Sequence, residues 1–287
     1  MLWQKSRRSD NVVSSSGGGG RRMGGGPGLG IGGIVLVFLI SWALGKNPLE
    51  MLSLLMQDGG SPSQPQTQQA PPSTQTTDFV RAILGSTEDV WGQIYASAGQ
   101  RYQAPRLVLF QQGVNSACGM ATSAVGPFYC PGDHQVYLDT SFFDELSGRF
   151  KAAGDFARAY VIAHEVGHHV QNLMGVMDKS EQLRRQGASM EGAEGLSVRQ
   201  ELQADCFAGV WANHAQRQLQ WLENGDVESA LAAATAIGDD KLQKQSRGYV
   251  VPDSFTHGSS AQRVRWFRLG LERGDLALCD TFRAQQL

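Results

Sequence analysis

From residue 142 onward, apolar side chains recur every three or four positions over 153–174, 197–222, 226–245 and 259–272. Each stretch is predicted as a helix with one face against a core. Residues 78–99 carry the same spacing through Phe79, Val80, Ile83, Leu84, Val90, Trp91 and Ile94, which predicts a helix pair or one kinked helix. Two short runs, "RLVLFQQ" and "QVYLD", are rich in β-formers and bounded by turn residues, so they read as strands. The second is a candidate edge strand along a cleft, where an extended peptide could pair. Between them, "GVNSACGMATSAVGPFYCPGD" reads as a long loop. Short strands followed by a run of helices predict an α+β domain, mostly helical with a small sheet.

The N-terminal third has a different pattern. Residues 28–45, "GLGIGGIVLVFLISWALG", contain no charge. As a helix they would span about 27 Å, just enough for a bilayer core. The run has no polar face, and "SWALGKN" is a poor small-x-small cleavage site, so the expectation is one uncleaved transmembrane helix rather than a cleaved signal peptide. Lys5, Arg7, Arg8, Arg21 and Arg22 precede it. The positive-inside rule then puts the N-terminus in the cytoplasm and the remainder across a bacterial inner membrane, in the periplasm or outside the cell. The expected layout is a glycine-rich cytoplasmic tail (1–27), the span (28–45), a flexible linker (46–77) and a domain (78–287). A net charge of −2 provides no field for nucleic acid. Cys118, Cys130, Cys206 and Cys279 allow three disulfide pairings. Cys118–Cys130 with Cys206–Cys279 is the expected one, and thiolate ligation of a metal is the alternative.

The chemistry concentrates in "VIAHEVGHHVQNL". His164 and His168 stand four apart, on one side of a helix, and can grip one zinc ion. Glu165 lies beside them as the candidate general base of a hydrolase. The helix is largely apolar, and two imidazoles with a carboxylate would be costly there unless something satisfied them. His169 projects about 100° away from His168 and reads as a polar contact or a wall of the site. The long metzincin pattern fails, because Gln171 and Met174 occupy its third-ligand positions. A carboxylate from "SVRQELQADCFAGVWANH" must complete the set. The expectation is Glu201 as ligand and Asp205 holding a histidine's outer nitrogen, with the reverse assignment open. His257 could stabilise an oxyanion, fill a fourth metal position, or do neither. Arg263 and Arg265 read equally as solvated charges or substrate contacts, and His134 and His214 as ordinary surface residues.

With "HEVGHHVQ", "ELQADCFAGVW" and "VPDSFTHGSSAQRVRWF", joined by "GPFYCPGD" and "IGDD", the chain resembles the bacterial neutral zinc metallopeptidases of the YpfJ type. The resemblance implies a zincin-like, gluzincin-type domain with zinc held by His164, His168 and Glu201. It also implies Glu165 as catalytic base and His257 as transition-state stabiliser. The expected function is hydrolysis of a peptide or protein substrate by a membrane-anchored enzyme. Two rivals are a non-catalytic adaptor with a structural zinc and a latent enzyme whose cleft is covered by the loop from Gly113 to Gly132.

Overall fold

The computed structural model describes residues 1–15 and 74–287. The expected span at 28–45 and most of the linker lie outside the described residues, and among the described residues no helix is long and apolar enough to cross a membrane.

The observed elements are β1 (Val12–Ser14), α1 (Thr74–Ser97), β2 (Arg106–Phe110), β3 (Gly113–Ser116), β4 (Gly119–Thr122), β5 (Phe128–Cys130) and β6 (Gln135–Asp139). The helices α2 (Phe142–Gly148), α3 (Asp155–Leu173), α4 (Val176–Arg185), α5 (Leu196–Leu219), α6 (Asp226–Ala236), α7 (Asp239–Arg247) and α8 (Ser260–Arg273) follow. The α+β class is therefore observed. The main sheet runs β1-β2-β6-β5, with β1 and β6 parallel to β2 and β5 antiparallel to β6. β6 is paired on both sides, so "QVYLD" is an interior strand and the edge on that side belongs to β5. The stretch expected to be a loop instead contains the β3–β4 hairpin and β5, tied together by the Cys118–Cys130 bridge. α1 is one continuous helix, and the helix expected over 226–245 breaks between α6 and α7.

α3 lies at the centre, packed against α1, α5, α6 and the β5–β6 pair. Its residues Phe156, Ala159, Tyr160, Ile162, Ala163, Val166 and Val170 are buried. α5 in turn packs along α8, and the Cys206–Cys279 bridge fastens the C-terminal tail to α5.

The N-terminal residues correct the expected layout. Residues 1–14 are not a separate tail but an arm built into the same body as 74–287. Trp3 is buried edge-on against Phe79 and donates its indole N–H to Asp155. The α-amine of Met1 is held by Glu223 and Asp226, each at 3.0 Å. Arg8 pairs with Asp78 at 2.7 Å, and Arg7 with Glu88 and Asp89 at 2.6 and 2.9 Å. Val12–Ser14 then add a strand to β2. Gly85 of α1 makes the close approach possible, since a Cβ there would lie 2.3 Å from the carbonyl oxygen of Arg7. The charges counted for membrane orientation at Lys5, Arg7 and Arg8 are therefore engaged by the domain, Lys5 through the carbonyls of Leu219 and Gln220.

Candidate metal centre

Two helices bring the site together. α3 carries His164, Glu165 and His168, and α5 carries Glu201 and Asp205. The helices meet closely because the residue between Val166 and His168 is glycine. A Cβ on Gly167 would lie 2.9 Å from the carbonyl oxygen of Ala204, too near for any other residue without displacing α5.

One donor atom from each of His164, His168 and Glu201 fits within a group whose members lie no more than 4.8 Å apart. His164 Nε2 is 3.1 Å from Glu201 Oε2, and His168 Nε2 is 3.3 Å from Oε1. Metal–ligand bonds of about 2.0–2.1 Å in a tetrahedron imply edges of about 3.3 Å. The donor set fits a zinc ion in type, and each imidazole approaches one oxygen of Glu201 at close to that spacing. The structure brings Glu201 beside the two histidines and places Asp205 behind His164.

Asp205 is fully buried and is not one of the three donors. Its Oδ1 accepts from His164 Nδ1 at 2.8 Å, which turns Nε2 of that ring toward Glu201. The same carboxylate accepts from Tyr160 at 2.5 Å and from Arg263 through Nε at 2.8 Å and Nη2 at 2.9 Å. Arg263 is only 2 % exposed. It is neither a solvated charge nor a surface contact; it neutralises a carboxylate that burial would otherwise make untenable. A carboxylate amid Ala204, Cys206 and Phe207 calls for a cation, but nothing near Asp205 in the sequence names Arg263 as its source. Tyr160, one turn before His164, was readable as a neighbour on the same helix face. Arg265 instead donates to the carbonyl of Leu287.

The electrostatics follow from these contacts. Burial would lower the pKa of His164, but Asp205 and Glu201 outweigh it and lift the ring to about 10. Burial also opposes ionisation of Asp205, yet Arg263 and His164 hold it below its ordinary value. Glu201 is likewise opposed by burial, and the facing His168 and His257 hold it well below the usual range. Glu165 is different. It is 7 % exposed, and burial raises its carboxyl despite the neighbouring imidazoles. A carboxyl displaced upward is suited to carrying a proton near neutrality.

His257 is not part of the donor group among the described residues. Its ring Nδ1 lies 2.9 Å from Thr256 Oγ1 and 3.3 Å from Asp239 Oδ1. The other oxygen of Asp239 accepts from the backbone N–H groups of Thr256, His257 and Gly258. Asp239, the first aspartate of "IGDD", therefore shapes the loop that carries His257, a role its spacing did not disclose. Burial lowers the His257 pKa, but Glu201 and Asp239 raise it overall.

His169 faces away from the donor group. It sits between Tyr129 of β5 (Nδ1 to the hydroxyl, 3.1 Å) and the carbonyl of Gln103 (Nε2, 2.6 Å). His134 approaches Asn172, and His214 bonds the carbonyl of Gly274; neither joins the site.

Comparison with known proteins shows a family for the chain. The sequence profile of the "Putative neutral zinc metallopeptidase" family matches residues 1–282. "Uncharacterized protein YpfJ" of Escherichia coli (strain K12) is 47% identical over 286 residues, covering 98% of this chain and 99% of that protein. "Uncharacterized protein Mb2605" of Mycobacterium bovis is 46% identical over 218 residues, covering 72% of this chain and 71% of that protein. "Uncharacterized protein Rv2575" of Mycobacterium tuberculosis matches to the same extent, 46% over 218 residues. No solved structure matches the chain.

Proposed function

We propose, for a chain that belongs to the neutral zinc metallopeptidase family, that it hydrolyses peptide bonds at a single zinc ion held by His164, His168 and Glu201. The observation that carries this reading is a set of three protein donors with a carboxyl beside it. Three protein ligands are the mark of a catalytic zinc, whereas a structural zinc takes four. His257 is held by Asp239 and Thr256, outside the donor group, and this favours the enzyme over the adaptor.

When bound, zinc supplies Lewis-acid polarisation of a carbonyl and acidifies water. Glu165 then accepts the proton of the attacking water and delivers it to the departing amine. His257 donates to the oxygen that gains charge as the carbonyl is attacked. Asp205, backed by Arg263 and Tyr160, keeps the His164 proton on Nδ1. β5 runs beside the C-terminal half of α3, where the Tyr129 hydroxyl meets Asn172 at 2.9 Å. Among the described residues no strand pairs its outer edge. An extended peptide added there would be held by its backbone. Glu165→Gln is expected to keep zinc at one equivalent and lower peptide hydrolysis by about 10²–10⁴-fold; zinc content and turnover of a peptide library test both halves. Parental turnover in that variant would remove Glu165 from the mechanism.

Membrane attachment through residues 28–45 belongs to the same proposal, but not as a single crossing. The arm and the domain pack together, so a stretch that enters the membrane between them leaves it on the side it entered. The two disulfides favour the oxidising face. Cysteine reporters at the exposed Gln4 and Gln245 are expected to react alike with a membrane-impermeant thiol reagent in intact cells. Opposite reactivity would restore the arrangement with a cytoplasmic N-terminus.

A further inference from the structure

His164 and His168 both present Nε2 to Glu201, so with a metal bound at that point both outer Nδ1 atoms must carry the proton. For His164 the reason is Asp205. For His168 the partner is Gln171, three residues on, whose Oε1 lies 2.9 Å from Nδ1. An amide can be turned either way, and only its other contacts decide which end faces the ring.

Those contacts are unambiguous. Gln171 is fully buried, and its Nε2 lies 2.7 Å from the carbonyl of Gln200. The same nitrogen donates to Gln203 Oε1 at 3.0 Å. The amide of Gln203, also buried, is oriented in turn by the carbonyl of Cys279, which accepts from Nε2 at 2.9 Å. Cys279 is bound to Cys206 of α5, and Thr281 donates to the carbonyl of Arg199 beside it. A backbone carbonyl can only accept. Fixing a carbonyl at the far end therefore fixes both amides, and Oε1 of Gln171 is left facing His168.

We infer that Gln171 and Gln203 are positioning residues for the metal centre: an amide relay anchored on the disulfide-bound Cys279 carbonyl that holds His168 with its proton on Nδ1 and its Nε2 lone pair toward the metal. The relay does for His168, with neutral groups, what Asp205 and Arg263 do for His164 with charges. This inference rests on the zinc reading of the donor group but not on peptidase activity.

The first test uses the zinc-loaded full-length protein. Side-chain ¹⁵N NMR is expected to show His168 bound through Nε2, with a slowly exchanging proton on Nδ1. The second is zinc affinity by chelator competition. Gln171→Leu is expected to weaken it about 10–100-fold, as loss of an outer partner of a metal-bound histidine does. Gln203→Leu, which touches no ligand, is expected to weaken it several-fold and to speed exchange of the Nδ1 proton. A purely structural role would lower thermal stability and leave both affinity and proton exchange alone. Parental zinc affinity in both variants, or a parent His168 bound through Nδ1 or with a freely exchanging Nδ1 proton, overturns the relay. The parental spectrum decides the matter even if a leucine variant fails to fold.

Discussion

The two faces of α3 carry histidines of nearly equal burial and opposite character. His164 is 6 % exposed and its pKa is lifted to about 10; His169 is 1 % exposed and its pKa falls to about 4. Desolvation pushes both rings toward neutrality. On the metal face, Asp205 and Glu201 reverse that push. On the other face, the neighbours are a phenol, a backbone carbonyl and the second imidazole of His134, and burial prevails. Burial therefore does not determine the state of a histidine in this protein; the charges that share its pocket do.

The comparison can be broken most forcefully at Arg263. Arg263→Met leaves Asp205 buried without its cation, which is expected to cost about 3–5 kcal/mol in urea unfolding. A loss well below 1 kcal/mol would mean that Tyr160 and His164 suffice. The next effect belongs to the opposite face. The folded pKa of His169 lies below its unfolded value of about 6.5, so between about pH 6.5 and 4 the unfolded chain binds more protons. Its contribution is complete above that window and is lost as pH falls through it, by roughly 3 kcal/mol. His169→Gln is expected to flatten the loss, and an unchanged acid profile would show that His169 does not remain neutral in the fold. The smallest effect is at Tyr160. Tyr160→Phe removes one of the hydrogen bonds to Asp205, at about 1–2 kcal/mol in the same unfolding measurement. A much larger cost would transfer to Tyr160 the role given to Arg263.

Much of the centre was legible in the sequence because it depends on local spacing. His164 and His168 are four apart on one helix, and so are Glu201 and Asp205 on the other. An apolar surround marks both helices as buried. The cysteine pairing followed from loop lengths, and the α+β class from the order of strands and helices. What escaped depends on residues distant in the chain. Arg263 pairs with a carboxylate 58 positions away, and its local setting near a loop suggested solvent. The arm was obscured by the glycines that follow it. Its partners, Asp78, Glu88, Leu107 and Asp226, are 70 or more residues off, and no pattern within residues 1–14 names them. The break before Asp239 has a similar cause, since that carboxylate is claimed by the loop of His257.

The arm also fixes an order of events in folding. Asp226, which holds the amine of Met1, follows it 225 positions later. At synthesis rates of about 5–20 residues per second, that amine waits about 10–45 s for its partner. The seats of Trp3 (Phe79 and Asp155) and of Val12–Ser14 (Leu107–Leu109) are made earlier, so the arm can gain its contacts in steps. Closing such long loops is entropically slow. The clamp of Glu223 and Asp226 on the amine is thus the last of the arm's contacts that can form.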